Sequence, residues 1–175
     1  MVFVITGGPG FGKTTVVNLL DKLGFPVGHE SARALLSNNI KQNESVNRLQ
    51  IPPDFERIVA TKRIEFLQSI DREIIAFSDR GLPDQIAYSW YKKKTPSVFL
   101  SEMVSKNRYA PNVFVTPPWQ SIFVQDEIRR ETYEEAIEIH SSILKAYAQN
   151  GYDLVNLPLV NPEERIGFIL NFLGI

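Results

Sequence analysis

Residues 2–15 read Val2-Phe3-Val4-Ile5-Thr6-Gly7-Gly8-Pro9-Gly10-Phe11-Gly12-Lys13-Thr14-Thr15. Positions 7–14 form a complete G-x-x-x-x-G-K-[ST] string. The apolar run before it, Val2 to Thr6, has the composition of a buried strand, and the residues after it, from about Gly12 to Leu23, have that of a helix. Strand, glycine-rich loop and helix in this order make a phosphate cradle. The glycines let the backbone curl so that successive N–H groups face one anion, and the helix N-terminus adds its positive dipole end. Within such a loop Lys13 reaches the β- and γ-phosphates and the Thr14 hydroxyl ligates Mg²⁺. The expected nucleotide contacts are Gly8, Pro9, Gly10, Phe11, Gly12, Lys13, Thr14 and Thr15. The competing reading, a glycine turn that only caps a helix, explains neither Lys13-Thr14 nor the strand before it.

Outward from the loop, apolar runs alternate with amphipathic stretches. Gly24 stops the first helix, and Phe25 to His29 reads as a short second strand. A helix is expected over Glu30 to Ile40, then a polar loop over 41–53 closed by Pro52-Pro53. Asp54 caps a helix running to about Arg72, and Ile74 to Ser78 is a continuous apolar strand ending at Asp79. Helices over Leu82–Tyr91 and Ser97–Lys106 precede a fourth strand at Val113–Thr116. A polar, arginine-bearing segment at about 120–132 has the place of a lid. A helix from Thr132 to Gln149, a fifth strand at Asp153–Leu157 and a helix from Pro162 to Phe172 complete the chain. The alternation predicts one α/β domain over 1–175, a doubly wound parallel sheet with helices on both faces. Ligands of such sheets bind at the carboxyl ends of the strands.

Composition narrows the function. A net charge of −1 over 175 residues argues against binding duplex nucleic acid through a basic field. The absence of cysteine removes disulfides, thiolate metal sites and cysteine nucleophiles. No apolar run reaches transmembrane length and no basic leader opens the chain, so no membrane partner and a cytoplasmic location are expected.

The polar residues at the strand ends carry the remaining chemistry. Asp79 is placed to hold Mg²⁺ directly or through water, against a plain surface aspartate. Arg80 offers a planar fork to a phosphate or carboxylate. Asp84 suits a hydrogen bond to Arg80 or to an acceptor hydroxyl, and equally suits the first turn of a helix. Glu30 and Arg33, one helical turn apart, either face the cleft or pair with each other on a helix surface. If the second strand abuts the third, Glu30 and Asp79 converge, and one carboxylate takes an acceptor's proton while the other serves the metal. Arg129 and Arg130 suit a lid that stabilises charge on a transferring phosphoryl group, or else lie on a charged helix surface. Trp119, Tyr88 and Trp90 stack on a base or pack in the core, with packing favoured.

Together these features resemble the small P-loop kinases, and in particular the AAA_28-type ATPase family, which includes the kinase domains of bifunctional nicotinamide-riboside kinases. The matching pieces are residues 7–15, Glu30-Ser31-Ala32-Arg33, Asp79-Arg80-Gly81-Leu82-Pro83-Asp84 with Ala87-Tyr88, and residues 151–158 with Glu164-Arg165. The resemblance implies a P-loop three-layer sandwich with a five-stranded parallel sheet in the order 2-3-1-4-5. It also implies that Asp79 and Glu30 lie by the phosphate-receiving group and that Arg129 and Arg130 belong to the lid. The expected reaction is transfer of the γ-phosphoryl of Mg·ATP to a small acceptor, a nucleoside or nucleotide. The alternative is an ATPase or nucleotide-binding module without an acceptor. A GTP switch is disfavoured, because the fifth-strand region reads Val155-Asn156-Leu157-Pro158 where such proteins carry Asn-Lys-x-Asp.

Overall fold

The computed structural model describes residues 1–29, 54–124 and 131–175. β1 (Val2–Thr6) runs into the glycine loop and α1 (Lys13–Lys22), followed by the short β2 (Val27–Gly28). Next come α2 (Phe55–Ser69), β3 (Ala76–Asp79), α3 (Leu82–Tyr91) and α4 (Val98–Lys106). β4 (Asn112–Val115), a 3₁₀ turn at Gln120–Ile122, α5 (Tyr133–Gln149), β5 (Asp153–Asn156) and α6 (Pro162–Leu173) follow. The expected helix at Glu30–Ile40 and the loop at 41–53 lie outside the described residues.

The strands form one parallel sheet in the order β2-β3-β1-β4-β5, as the resemblance implied. Alternation along β1 divides the core. Val2 and Val4 face α2, α3, α4 and α5 in a cluster with Ala60, Leu82, Ala87, Leu100, Val113, Ile139, Ile143 and Tyr147. Phe3 and Ile5 face α1 and α6, among Val16, Val17, Leu20, Phe77, Phe114, Ile166 and Ile169. A strand covered on both faces has no polar side to alternate, which is why β1 reads as an unbroken apolar run. Leu20 is fully buried; truncating such a leucine to alanine costs about 2–5 kcal/mol.

The third strand starts and ends later than its apolar run suggests. Ile74 closes a turn back to Asp71, and the ladder opens where the Ala76 amide donates to the Met1 carbonyl. Asp79 is therefore the last residue of β3, paired in register with Ile5. That register sets the carboxylate beside the point where β1 becomes the phosphate loop. β2 is shorter than expected because Pro26 has no N–H for the ladder, although its carbonyl accepts from Phe77.

Candidate active site

The loop after β1 is shaped from the backbone outward. Gly12 caps α1 in the left-handed region, at φ 85°, a conformation that costs a side-chain-bearing residue energy. Lys13 folds over the loop, and its Nζ donates to the Gly8 carbonyl at 2.6 Å. The Thr14 hydroxyl donates to Asp79 Oδ2 at 2.8 Å, tying the first turn of α1 to the end of β3. Asp79 is buried. An alcohol oxygen and a carboxylate oxygen meeting there are the hard donors that Mg²⁺ selects. Among the described residues no group of three or more His, Cys, Asp or Glu side chains could hold a metal. A cation at this point would complete its shell with phosphate oxygens and water, as Mg²⁺ commonly does.

A cavity of about 350 Å³ opens beside the loop, within the range of small-molecule sites. Gly10, Gly12, Lys13, Thr14, Thr15 and Val16 form one wall, and Trp119, Ile122, Val160, Pro162 and Arg165 the other. Five of the expected nucleotide contacts thus line it. Gly8, Pro9 and Phe11 do not, although all three are buried. The Phe11 ring turns away from the cavity and meets Phe123, Tyr133 and His140 at centroid distances of 6.3, 6.0 and 5.7 Å. Its part in the site is its backbone, whose carbonyl accepts from Arg165 Nη1 at 3.4 Å.

Arg165 is the cavity residue whose role the sequence reading missed. It is 2% exposed on the inner face of α6, and burial lowers its pKa. Nε donates to the Pro158 carbonyl at 3.0 Å, and the guanidinium lies 4.9 Å from the centre of the Trp119 ring. It thus joins the turn after β5 to the phosphate loop. The available signal was positional, since an arginine shares a buried helical face with Ile166 and Ile169. Trp119, for which packing was favoured, is half-buried and lines the cavity.

Arg80 and Asp84 lie behind the loop. Arg80 is 3% exposed, at φ 73°. Its Nη1 donates to the Gly7 carbonyl at 3.2 Å and to Asp84 Oδ1 at 3.0 Å, and its guanidinium sits 5.4 Å from the Tyr88 ring centre. Asp84 is 0% exposed. It also accepts from the Thr6 hydroxyl at 2.7 Å, the Gly81 amide at 2.8 Å and the Tyr147 hydroxyl at 2.6 Å. Burial alone would raise its pKa; the charges of Arg80 and Arg63, with the Gly81 and Tyr147 hydrogen bonds, outweigh that and bring it below the usual carboxylate value. Of the roles open to Asp84, the structure fills two at once, as partner of Arg80 and as third residue of α3 closing onto Gly81.

The structure thus brings Lys13, Thr14, Asp79, Arg80 and Asp84 together around the loop. Glu30, Arg33, Arg129 and Arg130 lie outside the described residues, and so do residues 125–130 of the segment expected as a lid. No helix among the described residues is long and apolar enough to cross a membrane.

The model of the AAA domain family, AAA_28 type, matches residues 2–165. The chain belongs to that family. A search of curated proteins by sequence finds no match. Among solved structures the fold is similar to deoxyadenosine kinase from M. mycoides with bound dATP, at TM-score 0.69 and 16% identity, covering 100% of both chains. It is similar to thymidylate kinase from Ehrlichia chaffeensis, at TM-score 0.62 and 14% identity over 99% of this chain and 98% of that one. NadR protein in complex with NR gives TM-score 0.71 and 20% identity over 99% of this chain and 51% of that one. The architecture is that of the P-loop kinases.

Proposed function

We propose that this protein is an ATP-dependent phosphotransferase acting on a small acceptor in the cytoplasm, with a nucleoside or nucleotide as the acceptor class. The observation that carries this reading is the hydrogen bond to Asp79 from Thr14, which lines a cavity also walled by Trp119, Ile122, Val160, Pro162 and Arg165. Lys13 and Thr14, which would serve phosphate and metal, line one side, and Trp119 with Arg165 over its ring lines the other, where a base could stack. The similar solved kinases named for thymidylate and deoxyadenosine support the acceptor class.

Thr14 and Asp79 would hold Mg²⁺, Thr14 directly and Asp79 directly or through water. The cation would supply charge neutralisation along the triphosphate. Lys13 leaves the Gly8 carbonyl for the β- and γ-phosphates of ATP and stabilises the negative charge there. Backbone amides from Gly10 to Thr15 fix the phosphate chain and leave the reacting groups in line. Glu30 or Asp79 orients the acceptor hydroxyl and takes its proton. Arg33 holds the acceptor, and Arg129 and Arg130 neutralise charge from the lid side. Arg80 and Asp84 support the acceptor side from behind the loop.

The test is ADP release from Mg·ATP with and without a panel of nucleosides and nucleotides. Release that depends on one acceptor supports the kinase. Equal release with and without every acceptor supports hydrolysis alone. That second reading is favoured by one observation: Arg80 and Asp84, two of the expected acceptor contacts, are buried and bonded to each other.

A further inference from the structure

His140 lies outside every motif of the chain, yet it touches the phosphate loop. It sits on α5, 6% exposed. The Gly8 amide donates to its Nδ1 at 3.2 Å, and its ring meets the Phe11 ring at an interplanar angle of 68°. Gly8 therefore has its N–H taken by His140 and its carbonyl by Lys13 Nζ. One helical turn before His140, the Ala136 carbonyl lies 2.5 Å from where a Gly8 Cβ would stand. Residues 136 and 140 share a helix face, so the first half of the loop rests on α5 with no room for a side chain.

The bond fixes the tautomer. Nδ1 accepts, so the ring proton is on Nε2. We infer that His140 is a positioning residue of the phosphate site: as a neutral acceptor it anchors Gly8, holds the loop in its anion-binding shape, and sets the carbonyl from which Lys13 is released to the phosphates. The inference rests on reading residues 7–14 as a nucleotide site. Burial, and then the nearby Lys13 charge, lower the His140 pKa to about 4, in keeping with a neutral ring.

The test compares His140→Phe, which keeps a ring against Phe11 but has no acceptor, with His140→Asn, whose amide oxygen can take the Gly8 N–H. ADP, pyrophosphate and phosphate-free adenosine are titrated by calorimetry at neutral pH. ADP and pyrophosphate affinities are expected to fall about tenfold in His140→Phe, the loss of one good hydrogen bond. His140→Asn should stay within about threefold of the unsubstituted protein, and adenosine should bind all three alike. ADP affinity unchanged in His140→Phe overturns the inference, as does an equal loss in both variants or a parallel loss for adenosine. Should His140→Phe not fold, ¹⁵N shifts of the imidazole in the unsubstituted protein decide it: an Nε2–H tautomer supports the role and an Nδ1–H tautomer refutes it. If the unsubstituted protein binds neither ADP nor pyrophosphate, the nucleotide reading itself fails.

Discussion

The Thr14 hydroxyl and the Asp79 carboxylate meet at 2.8 Å, although sixty-five positions separate them in the chain. The parallel register of β1 with β3, Ile5 opposite Asp79, makes the meeting possible. One residue of slippage would turn the carboxylate to the other face of the sheet. Asp79→Asn retains the shape and removes the charge. Its Mg²⁺-dependent turnover of ATP is expected to fall at least ~100-fold, with a melting temperature close to that of the unsubstituted protein. Steady-state kinetics over a magnesium titration check this, and turnover that still responds normally to magnesium would remove Asp79 from the metal site.

Lys13 is buried, with its Nζ held on the Gly8 carbonyl. Lys13→Ala should leave the fold intact, by circular dichroism and thermal denaturation, and lower turnover by ~10²-fold or more. A variant that still phosphorylates its acceptor at the unsubstituted rate would rule out the proposed mechanism.

Asp84 is a matter of stability. Asp84→Asn leaves the buried Arg80 and Arg63 charges facing a neutral group. Breaking a buried pair by removing one partner costs about 3–5 kcal/mol. The expected result is a lower denaturant midpoint at unchanged slope. The folded-state pKa of Asp84 is depressed, so its contribution is present above the unfolded value of 3.8 and is lost as pH falls through the folded value. Asp84→Asn should therefore flatten the stability profile on the acid side of pH 3.8.

His140 acts at higher pH. Its pKa drops from the ordinary 6.5 to about 4 on folding, through burial first and Lys13 second. Between those two values the unfolded chain binds the extra proton, so stability declines as pH falls from 6.5 toward 4 and owes nothing to this group above 6.5. Denaturant melts across that range should show the decline, and His140→Asn should remove its share. The other histidine, His29, is exposed beside Asp21.

Trp119 should report the base. Stacking a base on an aromatic side chain is worth about 1–3 kcal/mol. Trp119→Ala is thus expected to raise the Michaelis constant for ATP by roughly 5- to 150-fold while changing kcat far less. The chain has two tryptophans, so a Trp90→Phe background isolates Trp119 fluorescence. A signal insensitive to ADP would place the base elsewhere.

The sheet was legible because each strand is bounded by turn chemistry and because a strand covered on both faces shows as an apolar run. The order 2-3-1-4-5 followed from family resemblance, since nothing local to a strand names its neighbours. Lys13 and Thr14 were legible because the phosphate loop is contiguous in sequence. Arg165 and His140 reach that loop from helices more than a hundred residues away, and within those helices each sits among apolar residues on a buried face. Periodicity marks such a position as inward without saying what it meets. Asp84 was legible as a helix-start residue; its hydrogen bond to Tyr147 depends on α3 packing against α5.

The Phe11 ring has one more consequence. Phe123 and Tyr133 both pack on it, and they pack on each other at 5.4 Å. Phe123 and Tyr133 are thus two adjacent fixed posts. Whatever sequence spans the stretch between them can be exchanged as a cassette, with its ends already brought together and its entropy of closure already met by the posts. A protein engineer can transplant the corresponding stretch of a protein of similar fold between Phe123 and Tyr133 and leave the aromatic posts on Phe11 as they stand.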